Sequence, residues 1–241
     1  MPKNESPGIL IAVEGIDGAG KTTQVELLSI ALRAAGLDVL TSKEPTNGAW
    51  GRKIRESAAT GRMPVEEELQ AFIADRTEHI ETLVGPALAR GATVILDRYY
   101  FSSIAYQGVR GSDPEMIRSE MEARFPIPDL TVILEIDSDL SQFRISKSRG
   151  ETPNHFEQQA ALEKSHGIFS SLSGPGIVRI DGSAQQESVL QALLAAFVDG
   201  PLKAKRCAKS YGCDDPFHCT ASLTNRCEWI TLRRKLAPAL S

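Results

Sequence analysis

Five short runs of this chain are apolar almost without interruption: ILIAVE (9–14), DVLTS (38–42), TVILD (93–97), LTVILEI (130–136) and IVRID (177–181). A strand with one face in water alternates apolar and polar residues. A strand that does not alternate is covered on both faces, as in a parallel sheet with helices above and below. The segments between these runs repeat apolar residues at helical spacing. TTQVELLSIALRAAG (22–36) stops at Gly36, and VEEELQAFIADRTEHIETLVGPALARG (65–91) reads as a long helix with an acidic first turn and a break expected at Gly85-Pro86. A repeated strand-helix-strand order predicts a three-layer α/β domain on a five-stranded parallel sheet.

The first apolar run is followed by GIDGAGKT, Gly15 to Thr22, and then by the first helix. In a G-x-x-x-x-G-K-T loop set between a buried strand and a helix, the glycines let backbone N–H groups turn inward around phosphates. Lys21 then reaches the β and γ phosphates, and the Thr22 hydroxyl can ligate Mg²⁺. The loop alone leaves hydrolase, kinase and switch protein open. Asp97, at the tip of VILD, stands where a second acid supporting Mg²⁺ is expected, and Arg98 follows it directly. Taken without the loop, that pair would read as a surface ion pair of little energetic weight.

Net charge is −4 over 241 residues, with 41% hydrophobic and 24% charged, so bulk electrostatics gives no reason to expect nucleic acid or an anionic membrane as partner. The N-terminal apolar run is far shorter than the roughly 18 residues of a spanning helix, and a cytoplasmic protein is expected. All four cysteines lie beyond residue 200, so no disulfide framework is expected in the main domain. Composition changes near DGPLKAKRC (199–207), which divides the chain into a main domain, 1–199, and a small cysteine-bearing extension, 200–241.

With EGIDGAGKTTQ, KEP, FIADR and DRYYFSSIAYQG in this order, the sequence resembles the thymidylate kinases, P-loop enzymes that pass the γ-phosphate of ATP to dTMP, over about residues 9–199. The resemblance implies a P-loop kinase fold, ATP with Mg²⁺, and a homodimer. It assigns Gly15, Gly18, Ala19, Gly20, Lys21, Thr22 and Thr23 to ATP, and Asp97 to Mg²⁺ or its waters beside Thr22. Arg98 would bind the acceptor phosphate and bridge it toward the donor. Phe72 and Arg76, four apart on one helix face, would stack on thymine and donate to a base carbonyl. Phe72 by itself would read as a core aromatic.

Ser103 and Gln107 would face the base, and Tyr106 the sugar, where its ring leaves no room for a 2′-hydroxyl. Asp17 would lie near the sugar 3′-hydroxyl, Glu44 matches the Glu-Pro of the family with Pro45 a candidate cis bond, and Arg55 would help hold the acceptor phosphate. Tyr99, Tyr100 and Phe101 are read as packing.

The basic end of SDLSQFRISKSRG, with Arg144, Lys147 and Arg149, and the residues after it, about 144–156, match the lid that the family folds over ATP. One branch of the family places an arginine where this loop has Ala19, so positive charge is expected from the lid, from Arg149 first and Arg144 second. Relatives carry an acid and an arginine where Asn154 and His155 stand here, and a histidine near its unperturbed pKa of about 6.5 is mostly neutral at pH 7. The family does not usually carry the tail. Its cysteines, Cys207, Cys213, Cys219 and Cys227, are spaced more widely than common zinc modules and leave structural Zn²⁺, reduced thiols and disulfides open. Two other functions compete with dTMP phosphorylation: a kinase of another nucleoside monophosphate, and a nucleotide-binding regulator whose tail recruits a partner.

Overall fold

The computed structural model describes residues 7–149, 155–202 and 228–240. Its strands are β1 (Ile9–Glu14), β2 (Val39–Lys43), β3 (Thr93–Asp97), β4 (Leu130–Glu135) and β5 (Ile177–Asp181). They form one sheet in the order β2-β3-β1-β4-β5, and every pairing is parallel. β1, β3 and nearly all of β4 are buried, in keeping with their unbroken apolar sequence. The edge strands β2 and β5 carry the polar residues. The register sets Asp97 beside Val13 on one side and Lys43 on the other, so the C-terminal ends of β2, β3 and β1 finish level with one another. In open parallel sheets ligands bind at this end.

The helices are α1 (Lys21–Ala34), α2 (Ala49–Thr60), α3 (Val65–His79), α4 (Gly85–Ala89), α5 (Tyr100–Val109), α6 (Pro114–Arg124), α7 (Ser138–Arg149), α8 (His155–Ser171), α9 (Gln186–Asp199) and α10 (Glu228–Leu240). No helix among the described residues is long and apolar enough to cross a membrane.

The break expected at Gly85-Pro86 is replaced by a wide π turn, Ile80–Val84, that joins α3 to α4 without interruption. Proline removes a backbone donor and collides with the carbonyl four residues earlier, and one widened turn relieves both problems. At Gly85 a side chain could not fit, because a Cβ there would lie 2.8 Å from the Ile80 carbonyl oxygen.

Helix α10 packs on α9 and α1. Leu232 and Leu236 join the main hydrophobic core, Lys235 Nζ donates to the Ala35 carbonyl at 3.2 Å, and Arg233 pairs with Asp199. A cation over the C-terminal carbonyls of α1 also opposes the negative end of that helix's dipole. Because α1 begins at the phosphate-binding loop, the far end of the chain braces the helix that carries the loop. Leu236→Ala is expected to lower stability by about 2–5 kcal/mol in chemical denaturation; an unchanged midpoint would show that α10 contributes nothing to the core.

Candidate active site

The loop between β1 and α1 bends through three positive-φ glycines, Gly15, Gly18 and Gly20. Gly15 and Gly18 are compelled by close approach as well, since a Cβ would lie 2.5 Å from the Leu134 carbonyl oxygen and 2.7 Å from that of Ser141. A Cβ on Gly20 would meet nothing within 4 Å, so the loop is open at the α1 N-terminus, where N–H groups and the helix dipole favour an anion. Lys21 lies under this loop with Nζ donating to the Ile16 carbonyl at 2.7 Å. Burial, and then the charge of Arg98, push its ammonium down to about 7 against the opposing pull of Asp17, Asp97 and Glu14.

At the tip of β3 the two consecutive charged residues serve different neighbours. The Thr22 hydroxyl donates to Asp97 Oδ2 at 2.5 Å, and Lys43 Nζ stands 3.4 Å from the same oxygen. Asp97 Oδ1 is buried without a hydrogen-bond partner among the described residues. Hydroxyl and carboxylate oxygens converging beside the loop fit Mg²⁺, which takes hard oxygen ligands. Arg98 has φ 73°, a left-handed conformation uncommon for a residue with a side chain. Its guanidinium donates to Asp17, to the Gly15 carbonyl and to Ser102, and lies 5.2 Å over the Tyr106 ring.

A residue that sequence reasoning missed organises this turn. Glu14, the last residue of β1, is fully buried, and its carboxylate accepts from the Tyr99 N–H at 2.7 Å, the Ser102 N–H at 3.3 Å and the Ser102 hydroxyl at 2.6 Å. It therefore caps the first turn of α5 by accepting from its first N–H groups. The one available signal was a lone acid closing an otherwise apolar strand. Burial raises its pKa to about 7, partly offset by the Ser102 bond and by Arg98.

Helices α3 and α5 face each other across a cavity of about 170 Å³ lined by Asp17, Glu44, Pro45, Arg62, Phe72, Arg76, Arg98, Tyr99, Ser102, Ser103, Tyr106 and Gln107. The structure thus gathers in one chamber Phe72, Arg76, Ser103, Tyr106, Gln107, Arg98 and Asp17, all expected to meet one ligand. Arg76 is buried between the rings of Tyr99 and Phe125. It donates to Glu44 Oε2 at 2.8 Å, to Ser103 Oγ at 3.1 Å and to the Met121 sulfur. Of the five N–H groups of a guanidinium these take three, which leaves two. Phe72 is half-buried, backed by Ile54, Met63 and Ala71. Tyr99, Tyr100 and Phe101 are buried as expected, although Tyr99 also lines the chamber.

Glu44 precedes a cis proline, Pro45. Its carboxylate is turned to Arg76 and to His79 Nδ1 at 3.0 Å, and the His79 Nε2 lies 2.8 Å from the Ser42 hydroxyl. His79 is a second buried residue that sequence reasoning missed. Arg55 does not enter the chamber. It is held on the Pro45 and Thr46 carbonyls and lines a separate, wider cleft of about 1040 Å³ with Thr22, Lys43 and Asp97.

A third cavity, about 300 Å³, lies on the other side of the loop and is lined by Gly18, Ala19, Gly20, Thr23, Gln24, Arg144 and Gly182 among others. Arg144 reaches it from α7 and donates to the Gly182 carbonyl at 2.9 Å. Arg149 closes α7, but its side chain, that of His155, all of Asn154 and the cysteines at 207, 213, 219 and 227 lie outside the described residues. Among the described residues no three or more His, Cys, Asp or Glu side chains converge as a metal site, so Asp97 is the single acid beside Thr22.

The family model described as thymidylate kinase matches residues 13–193. The chain belongs to the thymidylate kinase family. Curated thymidylate kinases of Xanthomonas oryzae and Xanthomonas campestris are 50% and 48% identical over 191 residues, covering 79% of this chain and 83% of theirs. That of Akkermansia muciniphila is 49% identical over 185 residues, 77% of this chain and 89% of its own. The family match therefore begins at the last two residues of β1, includes the loop, the chamber and α7, and ends within α9, before α10.

Because the folded pKa of Glu14 lies above its ordinary 4.5, the folded thymidylate-kinase domain holds a proton that the unfolded chain has released. Its contribution is complete below pH 4.5 and is lost as pH rises through about 7. The stability of the wild type relative to Glu14→Gln is accordingly expected to fall between about pH 5 and about pH 8, read from paired thermal unfolding curves. A difference that stays constant with pH would contradict the protonated carboxyl.

Proposed function

We propose that the chain transfers the γ-phosphoryl group of ATP to the 5′-phosphate of dTMP through the residues described above, giving dTDP and ADP. The observation that carries this reading is the chamber between α3 and α5. It is lined by a buried arginine, Arg76, with two N–H groups beyond its three hydrogen bonds, by Gln107, whose Oε1 has no partner among the described residues, and by Phe72. Thymine presents a carbonyl at C4 to the first and an N–H at N3 to the second, and its face to the third. Cytosine presents the reverse pattern of donor and acceptor. Buried donors and acceptors discriminate strongly because the wrong base leaves them unpaired.

The resemblance to thymidylate kinases supports the remaining assignments. Asp17 is near the sugar 3′-hydroxyl, and the Tyr106 ring stands against the 2′ side, where it excludes a hydroxyl by volume. Arg98 and Arg55 hold the acceptor phosphate from the chamber and the wider cleft respectively. ATP lies along the loop residues 15–23, with Arg144 at the nucleoside end and Arg149 supplying lid charge over the phosphates. Thr22 and Asp97 would hold Mg²⁺, which supplies charge neutralisation between the donor phosphates.

Chemically the site needs little beyond alignment and charge. A phosphate monoester with its second pKa near 6 is mostly dianionic at pH 7, so no base has to remove a proton. An acceptor phosphate oxygen forms a bond to the γ-phosphorus as the bond to the β,γ-bridging oxygen breaks, and ADP leaves with that electron pair. Lys21 and Arg98 stabilise the charge that spreads over the transferring group.

The same reading makes the protein a cytoplasmic homodimer. It is supported for the dimer by exposed Trp50 on α2 and exposed Leu83 on the π turn after α3. The kinase domain spans residues 1–199 and the segment from 200 to 241 is an addition to it.

Initial rates with dTMP, dUMP, dCMP, dGMP and UMP are expected to rank dTMP first and dCMP, dGMP and UMP far below; higher turnover of dGMP or UMP would overturn the reading. Lys21→Ala is expected to lower kcat at least about a hundredfold, and retained activity would remove the loop from the reaction.

A further inference from the structure

Glu68 sits on α3 one helical turn before Phe72 and is 1% exposed. Three side chains donate to its carboxylate: Arg62 through Nε and a terminal nitrogen at 3.1 Å, Arg110, and Gln107 through Nε2 at 3.1 Å. Arg110 is itself anchored to the Met63 carbonyl at 2.9 Å. Gln107 is completely buried, and its Oε1 has no partner among the described residues. A primary amide can turn end for end at almost no steric cost, so the shape of the chamber does not decide which end of Gln107 meets a ligand. A carboxylate does decide it. Glu68 can only accept, and the reversed amide would set Oε1 against Oε2, acceptor against acceptor, and turn Nε2 away from the carboxylate.

We propose that Glu68 is a specificity-determining positioning residue, which fixes the orientation of the Gln107 amide so that an acceptor faces the base and selects pyrimidine imides bearing N3–H over cytosine. Arg62 and Arg110 hold the carboxylate in place. The base preference of the site is therefore set one residue away from the ligand, by a group that never touches it. The inference rests on the reading of this chamber as the base site.

The test is a double-mutant cycle in the full-length enzyme, with kcat/KM measured for dTMP and dCMP and the KM for ATP as control. Gln107→Ala is expected to lower kcat/KM for dTMP about tenfold or more with ATP unaffected. Glu68→Leu, which removes the acceptor and lets the amide turn, is expected to lower it similarly and to shrink the dTMP to dCMP ratio about tenfold. In the Gln107→Ala background, Glu68→Leu should add less than about a twofold further change in either quantity. Should Glu68→Leu not be recovered folded, Glu68→Asp keeps a charge opposite Arg62 and Arg110 while drawing the carboxylate back from Gln107, and enters the same cycle.

Losses that multiply in the double variant, or an unchanged dTMP to dCMP ratio in the Glu68 variant, would overturn the role given to Glu68. No loss from Gln107→Ala alone would instead overturn the base-site reading on which it stands.

Discussion

The active end of this protein depends on one buried carboxylate. Glu14 ends the central strand and accepts from the backbone and hydroxyl groups that open α5, so β1 and the β3–α5 connection are locked together across 85 residues of sequence. With that lock, Arg98 is held at a positive φ between a strand end and a helix start. Adjacent Asp97 and Arg98 can then face different neighbours: Thr22 and Lys43 for one, Gly15 and Asp17 for the other. Without it, nothing in the local sequence would keep a bulky residue in a left-handed turn. Conformations of that kind persist only where surrounding structure over-determines them.

Two further buried carboxylates repeat the device. Glu44 holds Arg76 and His79, and Glu68 holds Gln107 with Arg62 and Arg110. A carboxylate removed from water is costly unless each oxygen is matched by donors, and here each is. Of the donors so captured, Arg62, Arg76, Tyr99, Ser102 and Gln107 line the chamber. Buried acids on three separate elements, β1, the end of β2 and α3, thus hold side chains of α3 and α5 that line one volume.

The sheet was legible in the sequence because its strands are buried on both faces, and the boundaries of β1, β3 and β5 coincide with their apolar runs. The phosphate loop was legible because its glycines answer to close backbone approach at fixed spacing. The pairing of Phe72 with Arg76, and of Ser103 with Tyr106 and Gln107, could be read from helical spacing together with the family resemblance. What stayed hidden depends on distant partners. Glu14 and Glu68 look like an ordinary strand-end acid and a helix-surface acid until α5 is placed against them. The π turn before Pro86 was hidden for another reason: sequence marks the strain that proline introduces and does not say whether a helix breaks or widens to relieve it. Packing of α10 on α1 required knowing that the chain returns to the first helix after residue 227.

The central claim is that the α3–α5 chamber and the loop under α1 are the two halves of one phosphoryl-transfer site. The most direct measurement is a crystal structure with a bisubstrate analogue in which adenosine and thymidine are joined through a chain of phosphates. Thymine is expected against Phe72, with Arg76 on its C4 carbonyl and Gln107 on N3, adenine in the cavity lined by Arg144, and the phosphates running past Lys21 and Arg98. Thymine found in the cavity lined by Gly18 and Arg144, or in the wide cleft beside Arg55, would contradict it.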